Sequence, residues 1–143
     1  MKKQLLSVLG MLGLLMIAAS AFAQSINVVA NVPFSFSVDK GTLPAGEYQI
    51  RAVDTAGGEV LAIQNREAKM ARMFLTNPVS RGANSAYSEK ATLVFKRYGD
   101  QYFLSQIWLS GNNTGRELST SVREKELARG LTSEKVIVLA KLH

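Results

Sequence analysis

Residues 32–50, with the sequence VPFSFSVDKGTLPAGEYQI, carry the clearest structural signal in the chain. Apolar side chains recur at every second position on both sides of a central turn, which places them on one face of an extended strand. The turn, residues 43–46, contains Pro44, which fixes its own φ, and Gly46, which tolerates a positive φ. The pattern predicts a β-hairpin whose corner lies at residues 43–46.

Residues 92–109 predict a second hairpin. Two runs rich in aromatic residues flank Gly99 and Asp100, a pair suited to a two-residue turn. With this pair as the loop, Leu93 faces Gln106 across the hairpin. Both faces carry apolar side chains, so we expect the hairpin to lie within a sandwich or a small barrel.

The remaining chain predicts more strands and one helix. Strands are expected at residues 26–32, 59–64, 69–76 and 135–141. Ser121 and Glu124 have capping-box spacing and Gly130 can end a helix, which predicts two helical turns on the surface. The polar stretch 77–90 is expected to be a loop. The fold class is therefore all-β: a small antiparallel β-sandwich or flattened barrel of about 7–8 strands, with one short helix near the C-terminus.

The N-terminus has the pattern of a cleavable signal peptide. Lys2 and Lys3 precede an apolar run at residues 5–19, and a small-x-small site follows. The run is too short for a membrane-spanning helix, which needs about 20 apolar residues. We expect cleavage between Ala23 and Gln24.

A signal peptide at residues 1–23 leaves residues 24–143 as a single domain, which is long enough to bury one core. The chain has no cysteine, so an exported form would be stabilised by packing without disulfides. Removal of Lys2 and Lys3 with the signal leaves 15 basic and 11 acidic residues, a net charge of +4, which is mild and does not indicate a nucleic-acid site. We expect an exported bacterial protein of the cell envelope, in the periplasm or outside the cell.

The residues that usually carry chemistry are few. His143 is the only histidine, and without cysteine there is no ligand set for zinc. Asp39, Asp54 and Asp100 could form a pair of catalytic carboxylates, but each lies at a predicted turn, where aspartate bonds to backbone. No phosphate-binding loop or nucleophile elbow occurs. The sequence predicts no catalytic, cofactor or metal site.

Five apolar residues are candidates for either a ligand pocket or the core. They are Phe34, Phe36, Phe95, Leu104 and Trp108. As a pocket lining they would make the protein a carrier of small hydrophobic ligands. As core residues they would fill the space between sheet layers, which is the commoner role of buried aromatic side chains.

Several motifs resemble a group of short exported bacterial proteins. They are V-P-F-x-F-x-V at residues 32–38, L-P-A-G-x-Y at 43–48, F-x-x-Y-G at 95–99, Trp108 and E-x-E-L-A at 124–128. The resemblance implies a signal peptide followed by one small β-rich domain. It implies no activity and no functional residues.

The function expected from these observations is that of a non-enzymatic envelope or secreted protein that is structural or binds another macromolecule. The partner is either an envelope macromolecule or a second copy of this chain. The alternatives are a small hydrophobic-ligand carrier and a hydrolase. We expect no cofactor, no nucleic-acid partner and no transmembrane span once the signal is removed.

Overall fold

The computed structural model describes residues 26–53, 60–81, 90–111 and 113–142. The predicted signal peptide with its cleavage site at Ala23 and Gln24, together with Asp54 and His143, lies outside these residues. The strands are β1 Asn27–Val32, β2 Phe36–Val38, β3 Gly41–Leu43, β4 Gly46–Ala52, β5 Val60–Asn65, β6 Met70–Ser80, β7 Ala91–Tyr98, β8 Gln101–Trp108, β9 Thr114–Leu118 and β10 Glu134–Leu142. The helix α1, Val122–Ala128, lies between β9 and β10.

Eight of these strands close into an antiparallel barrel, which confirms the predicted all-β class with one short helix. Around the ring the order is β1, β4, β5, β6, β9, β8, β7 and β10, and β10 returns to β1. The β2–β3 hairpin is attached to this ring through a parallel pairing of Ser37 with Phe103 of β8. We distinguish two sides of the barrel, a closed side and an interrupted side.

The first predicted hairpin is wrong in its pairing. β4 does not return along β2; it lies between β1 and β5. β2 turns back earlier, at Asp39 and Lys40, and Asp39 adopts the positive φ of 53° that this tight turn requires. The predicted corner at residues 43–46 instead connects β3 to β4, and Tyr48 Oη donates a hydrogen bond to the Pro44 carbonyl across it.

The closed side of the barrel consists of β7, β10, β1 and β4. β10 pairs with β7 from Glu134 to Ala140, β1 pairs with β4 from Asn27 to Val32, and β10 joins β1 at residues 140–142. The inward side chains from this side and from β5, β6 and β8 meet those of the β2–β3 hairpin in one core. Its largest fully buried members are Tyr48, Phe36, Phe95, Leu43, Ile50, Leu61, Ile63, Leu93 and Ile107.

The interrupted side consists of β6, β9 and β8. β9 pairs with β6 only between Thr76 and Ser80, and it meets β8 only at Gln106 and Ile107. Among the described residues, the first half of β6 therefore has a paired neighbour, β5, on one side only. The β2–β3 hairpin lies across the resulting gap.

Contacts with β6 place the hairpin there. The guanidinium of Arg72 on β6 packs against Gly41 on β3. At the hairpin tip, Asp39 faces Phe74 and Leu118 around a depression of about 300 Å³. Side chains, and not a ladder of backbone hydrogen bonds, fill this part of the wall.

The predicted loop at residues 77–90 is partly wrong, because β6 continues to Ser80. Pro78 is tolerated there because its missing donor would point away from β9, on the side where β5 has already ended opposite Leu75. The strand β9 was not predicted, since its sequence TGREL has neither an apolar period nor β-branched residues beyond Thr114. The segment 82–89 lies outside the described residues.

Candidate functional site

Four of the five candidate pocket residues come together, but they fill the core. Phe36, Phe95 and Leu104 belong to the buried cluster, and Phe34 packs against it from the rim. The ring of Phe95 lies 5.0 Å from that of Phe34 and 5.3 Å from that of Phe36, both edge to face. Contacts of this kind leave no room for a ligand between the rings.

Trp108, the fifth candidate, does not belong to this cluster. A register shift between Val94 and Phe95 leaves Ser105 as an extra residue in β8, so that Leu93 faces Ile107 and not the predicted Gln106. Beyond the shift the two faces of β8 exchange, and Trp108 points outward. There it is 6% exposed, beneath the guanidinium of Arg81 at 4.3 Å from the ring centroid.

An open cleft lies outside the barrel, where the β2–β3 hairpin meets α1. We name it the hairpin cleft. Its volume is about 690 Å³, within the range of ligand and peptide sites. Its lining comes from the hairpin, from β8 and from the start of the helix, as Ser37, Asp39, Lys40, Gly41, Thr42, Phe103, Thr120, Ser121, Val122, Arg123 and Glu126.

The hairpin wall of the cleft is fixed by its two-residue turn. Because Ser37 pairs with Phe103 in the parallel bridge, their side chains lie on the same, outer face of the sheet. Thr42 is opposite Ser37, and their hydroxyl oxygens are 3.4 Å apart. The cleft floor is therefore a short three-stranded surface with one aromatic ring and two hydroxyl groups.

The helical wall is fixed by a cap and by a buried hydrogen bond. Ser121 Oγ accepts from the amide of Glu124 at 3.2 Å, as the capping-box spacing predicted. The Glu124 carboxylate is only 6% exposed, and its Oε1 accepts from Tyr98 Oη at 3.1 Å. Burial raises the pKa of Tyr98, and the adjacent Glu124 carboxylate raises it further. This bond fastens α1 to the outer face of β7.

The remaining side chains give the cleft an apolar base and a charged rim. Phe103 is 3% exposed at the base, whereas Val122 is 74% exposed at the edge. Both signs of charge occur at the rim, in Lys40 and Arg123 and in the carboxylate of Glu126. Such a lining can bind a partner that is partly apolar and carries charges or hydroxyl groups.

The candidate catalytic carboxylates of the described residues are not brought together in the cleft. Within the described ranges, no three His, Cys, Asp or Glu residues are grouped as a metal site would require. Asp39 follows β2 and Asp100 precedes β8, and these two strands run parallel. The two carboxylates therefore lie at opposite ends of the pair and cannot act together.

Most residues of the cleft were not predicted from the sequence. Asp39 was expected at a turn, but the corner of the first hairpin was placed at residues 43–46, so Lys40 and Gly41 were placed within the hairpin. Nothing in the sequence brings Phe103 and its face of β8 to β2. Ser121 was predicted, as a helix cap.

The fold and the cleft define a closed antiparallel barrel with a packed interior and an external groove. Comparison with protein-family models, with curated proteins and with solved structures finds no match for this chain. In the part of the chain that the structure describes, no helix has the length and apolar character to cross a bilayer.

Proposed function

We propose that this chain is an exported, non-enzymatic protein of the cell envelope or its surroundings, and that it binds another macromolecule in the hairpin cleft. Export is supported by the signal-peptide pattern of residues 1–23. The observation that carries the proposal is the contrast between a barrel interior occupied by buried side chains and an open 690 Å³ cleft outside it.

The packed interior favours an external partner over a small apolar ligand held inside. An eight-stranded barrel is just wide enough either to be filled by its own side chains or to hold one small ligand. Here Tyr48, Phe36 and Phe95 are at most 1% exposed and occupy that space. A carrier function would require these side chains to move apart.

The shape and lining of the cleft favour a segment of polypeptide as the bound part of the partner. An apolar side chain can reach Phe103, and neighbouring residues can meet Lys40 on one wall and Arg123 or Glu126 on the other. Within the described residues, β3 has no hydrogen-bonded neighbour on the side away from β2, and the Arg72 side chain of β6 packs against its Gly41. An extended segment that displaces Arg72 can add there as a strand.

The test is affinity capture from an envelope extract with a matched pair of variants. Thr42→Trp places an indole in the cleft, and Gln64→Trp places the same group on the exposed outer face of β5. We expect wild-type protein and Gln64→Trp to retain the same polypeptide, and Thr42→Trp to lose it. The captured partner is then purified and titrated against all three forms.

A saturable interaction weakened at least tenfold by Thr42→Trp alone supports the proposal. Equal binding to both variants would place the partner elsewhere on the barrel and refute the cleft as its site. Turnover of any substrate in a broad hydrolase screen of the purified protein would refute the non-enzymatic assignment.

A further inference from the structure

The outer surface of the closed side carries a second feature, which we name the lysine face. It extends over β7 and β10, next to β1. Its members are Lys96, Lys135, Ile137, Leu139 and Lys141. They share one face because the alternate residues Val136, Val138 and Ala140 point into the barrel.

Two apolar side chains are exposed in the middle of this face. Ile137 and Leu139 are each 57% exposed, although they stand on a central strand of the wall. Lys135 precedes them and Lys141 follows them, about 20 Å apart along the strand at ~3.3 Å per residue. The face therefore has an apolar centre between positive ends.

All charges on this surface have the same sign. The outward residues of β1, β10 and β7 include three lysines and no carboxylate. Among the described residues, none of the three lysines forms an ion pair; the nearby Glu134 is 4.0 Å from Arg97 at the end of the barrel. The uncompensated charge is available to an external anion.

Repulsion between the lysines opposes folding at the point where two of them lie directly opposite each other. Lys96 and Lys135 are direct cross-strand partners on the same face. Like charges placed opposite each other destabilise a sheet, and positions that break a local rule in this way are expected at functional or strained sites. The packing of the barrel gives no reason for a lysine at both positions.

Charge complementarity favours an anionic lipid surface as the occupant. β10 pairs with β7 from Glu134 to Ala140 and with β1 only at residues 140–142. Leu139 and Lys141 also line a depression of about 370 Å³ beside Ala91. Exposed aliphatic side chains flanked by lysines are the pattern that binds the headgroup and acyl boundary of an anionic membrane.

We infer that the lysine face docks the barrel peripherally on a bilayer that contains anionic phospholipids. Ile137 and Leu139 enter the interfacial region, while Lys135, Lys141 and Lys96 contact the headgroups. The inference uses a surface on another part of the barrel from the hairpin cleft, so it does not depend on the proposed macromolecular partner.

The experiment is vesicle co-sedimentation with protein purified from cells that express the complete chain. Two vesicle types are compared, phosphatidylcholine alone and phosphatidylcholine mixed with phosphatidylglycerol. We expect binding to the mixed vesicles only, and its loss when salt shortens the Debye length to about 3 Å at about 1 M. Mass spectrometry of the N-terminus establishes that all forms compared are processed identically.

Two double variants with the same net charge provide the decisive comparison. Lys135→Gln with Lys141→Gln should lower the partition coefficient about 25-fold, on the order of fivefold per lysine. The control, Lys69→Asn with Lys125→Gln, removes two positive charges elsewhere, and asparagine suits the positive φ at position 69. Leu139→Ser leaves the charge unchanged and should weaken binding severalfold.

The outcomes separate the alternatives. Selective weakening by Lys135→Gln with Lys141→Gln, and by Leu139→Ser, supports the inference. Equal weakening by the control pair would show attraction by net charge alone and overturn it. Failure of the wild type to bind anionic vesicles, or binding only to an acidic peptide offered in their place, would overturn it as well. Circular dichroism of each variant verifies the fold.

Discussion

The closed and interrupted sides of the barrel are built by different means. On the closed side, ladders of seven and six residue pairs hold β10 to β7 and β1 to β4, three pairs join β10 to β1, and the inward side chains of these strands contribute to the core. On the interrupted side, β9 reaches β6 and β8 only at one end, and an inserted hairpin fills the gap by side-chain packing. A cleft of about 690 Å³ lies along the inserted hairpin, whereas the depression at Leu139 and Lys141 on the closed side is about 370 Å³. The stability of the closed side and the accessibility of the interrupted side should therefore respond differently to mutation.

The largest effect is expected in the core behind the closed side. Phe95 is fully buried against Phe34 and Phe36. Phe95→Ala should lower the free energy of unfolding by about 3 to 5 kcal/mol, because it removes buried surface and leaves a cavity. Urea unfolding measures the loss. Phe34→Ala at the rim is the control and should lower the free energy of unfolding clearly less. Equal losses of stability would contradict a core centred on Phe95.

The hydrogen bond that holds α1 to β7 comes next. Tyr98→Phe leaves the buried Glu124 carboxylate without its phenol donor and should reduce stability by about 1.5 to 3 kcal/mol at neutral pH. Burial and Glu124 raise the pKa of Tyr98 in the folded state above its unfolded value of about 10. The contribution of Tyr98 is thus complete below pH 10 and is lost as the pH rises through the folded pKa.

Denaturant unfolding from neutral to alkaline pH checks this prediction. The stability difference between wild type and Tyr98→Phe should shrink above pH 10, because ionisation removes the donor from the wild type alone. A difference that stays constant across this range would contradict the assigned bond.

A smaller effect is expected where β9 joins the interrupted side. A Cβ at Gly115 would lie 2.6 Å from the Trp108 ring and 2.9 Å from the Ile107 carbonyl oxygen. Gly115→Ala should therefore cost about 1 to 3 kcal/mol through overpacking. Gly130→Ala is the matched control, because no atom lies within 4 Å of its Cβ position. Thermal unfolding of the two variants should differ; similar melting temperatures would argue against this close approach.

The smallest effect concerns the wall of the hairpin cleft. Ser121→Ala removes the side-chain acceptor for the Glu124 amide and should destabilise α1 by about 1 kcal/mol. Hydrogen exchange should become faster in the amides of α1 and remain unchanged in β7 and β10. Thr120→Ala, one residue earlier, should leave the exchange of α1 as in the wild type. Faster exchange throughout the barrel would show that the local stabilities of the closed and interrupted sides are coupled.

Local sequence patterns predicted most of the strands and the helix, but they predicted less well which strands pair with each other. The turn at Gly99 and Asp100, the cap at Ser121 and the closing strand β10 are all as expected, because each depends on residues close in sequence. The pairing of β4 with β1 was missed, since alternation specifies a face of a strand and not its neighbour.

The errors at Trp108 and in the cleft have similar causes. One extra residue, Ser105, exchanges the two faces of β8, and a bulge of this kind has no signature in the amino-acid types. The hairpin cleft depends on a parallel bridge between residues 37 and 103, which are far apart in the chain. No local pattern contains that information, so its lining could not be identified from the sequence.

The pairing of β1 with β10 sets the order in which this protein can be completed. These are the first and last strands of the described residues, so the ring cannot close until β10 has been synthesised. Until then β1 and β7 each present an open edge that can pair with a neighbouring molecule. A ribosome that pauses before residue 134 would therefore hold an open, aggregation-prone intermediate.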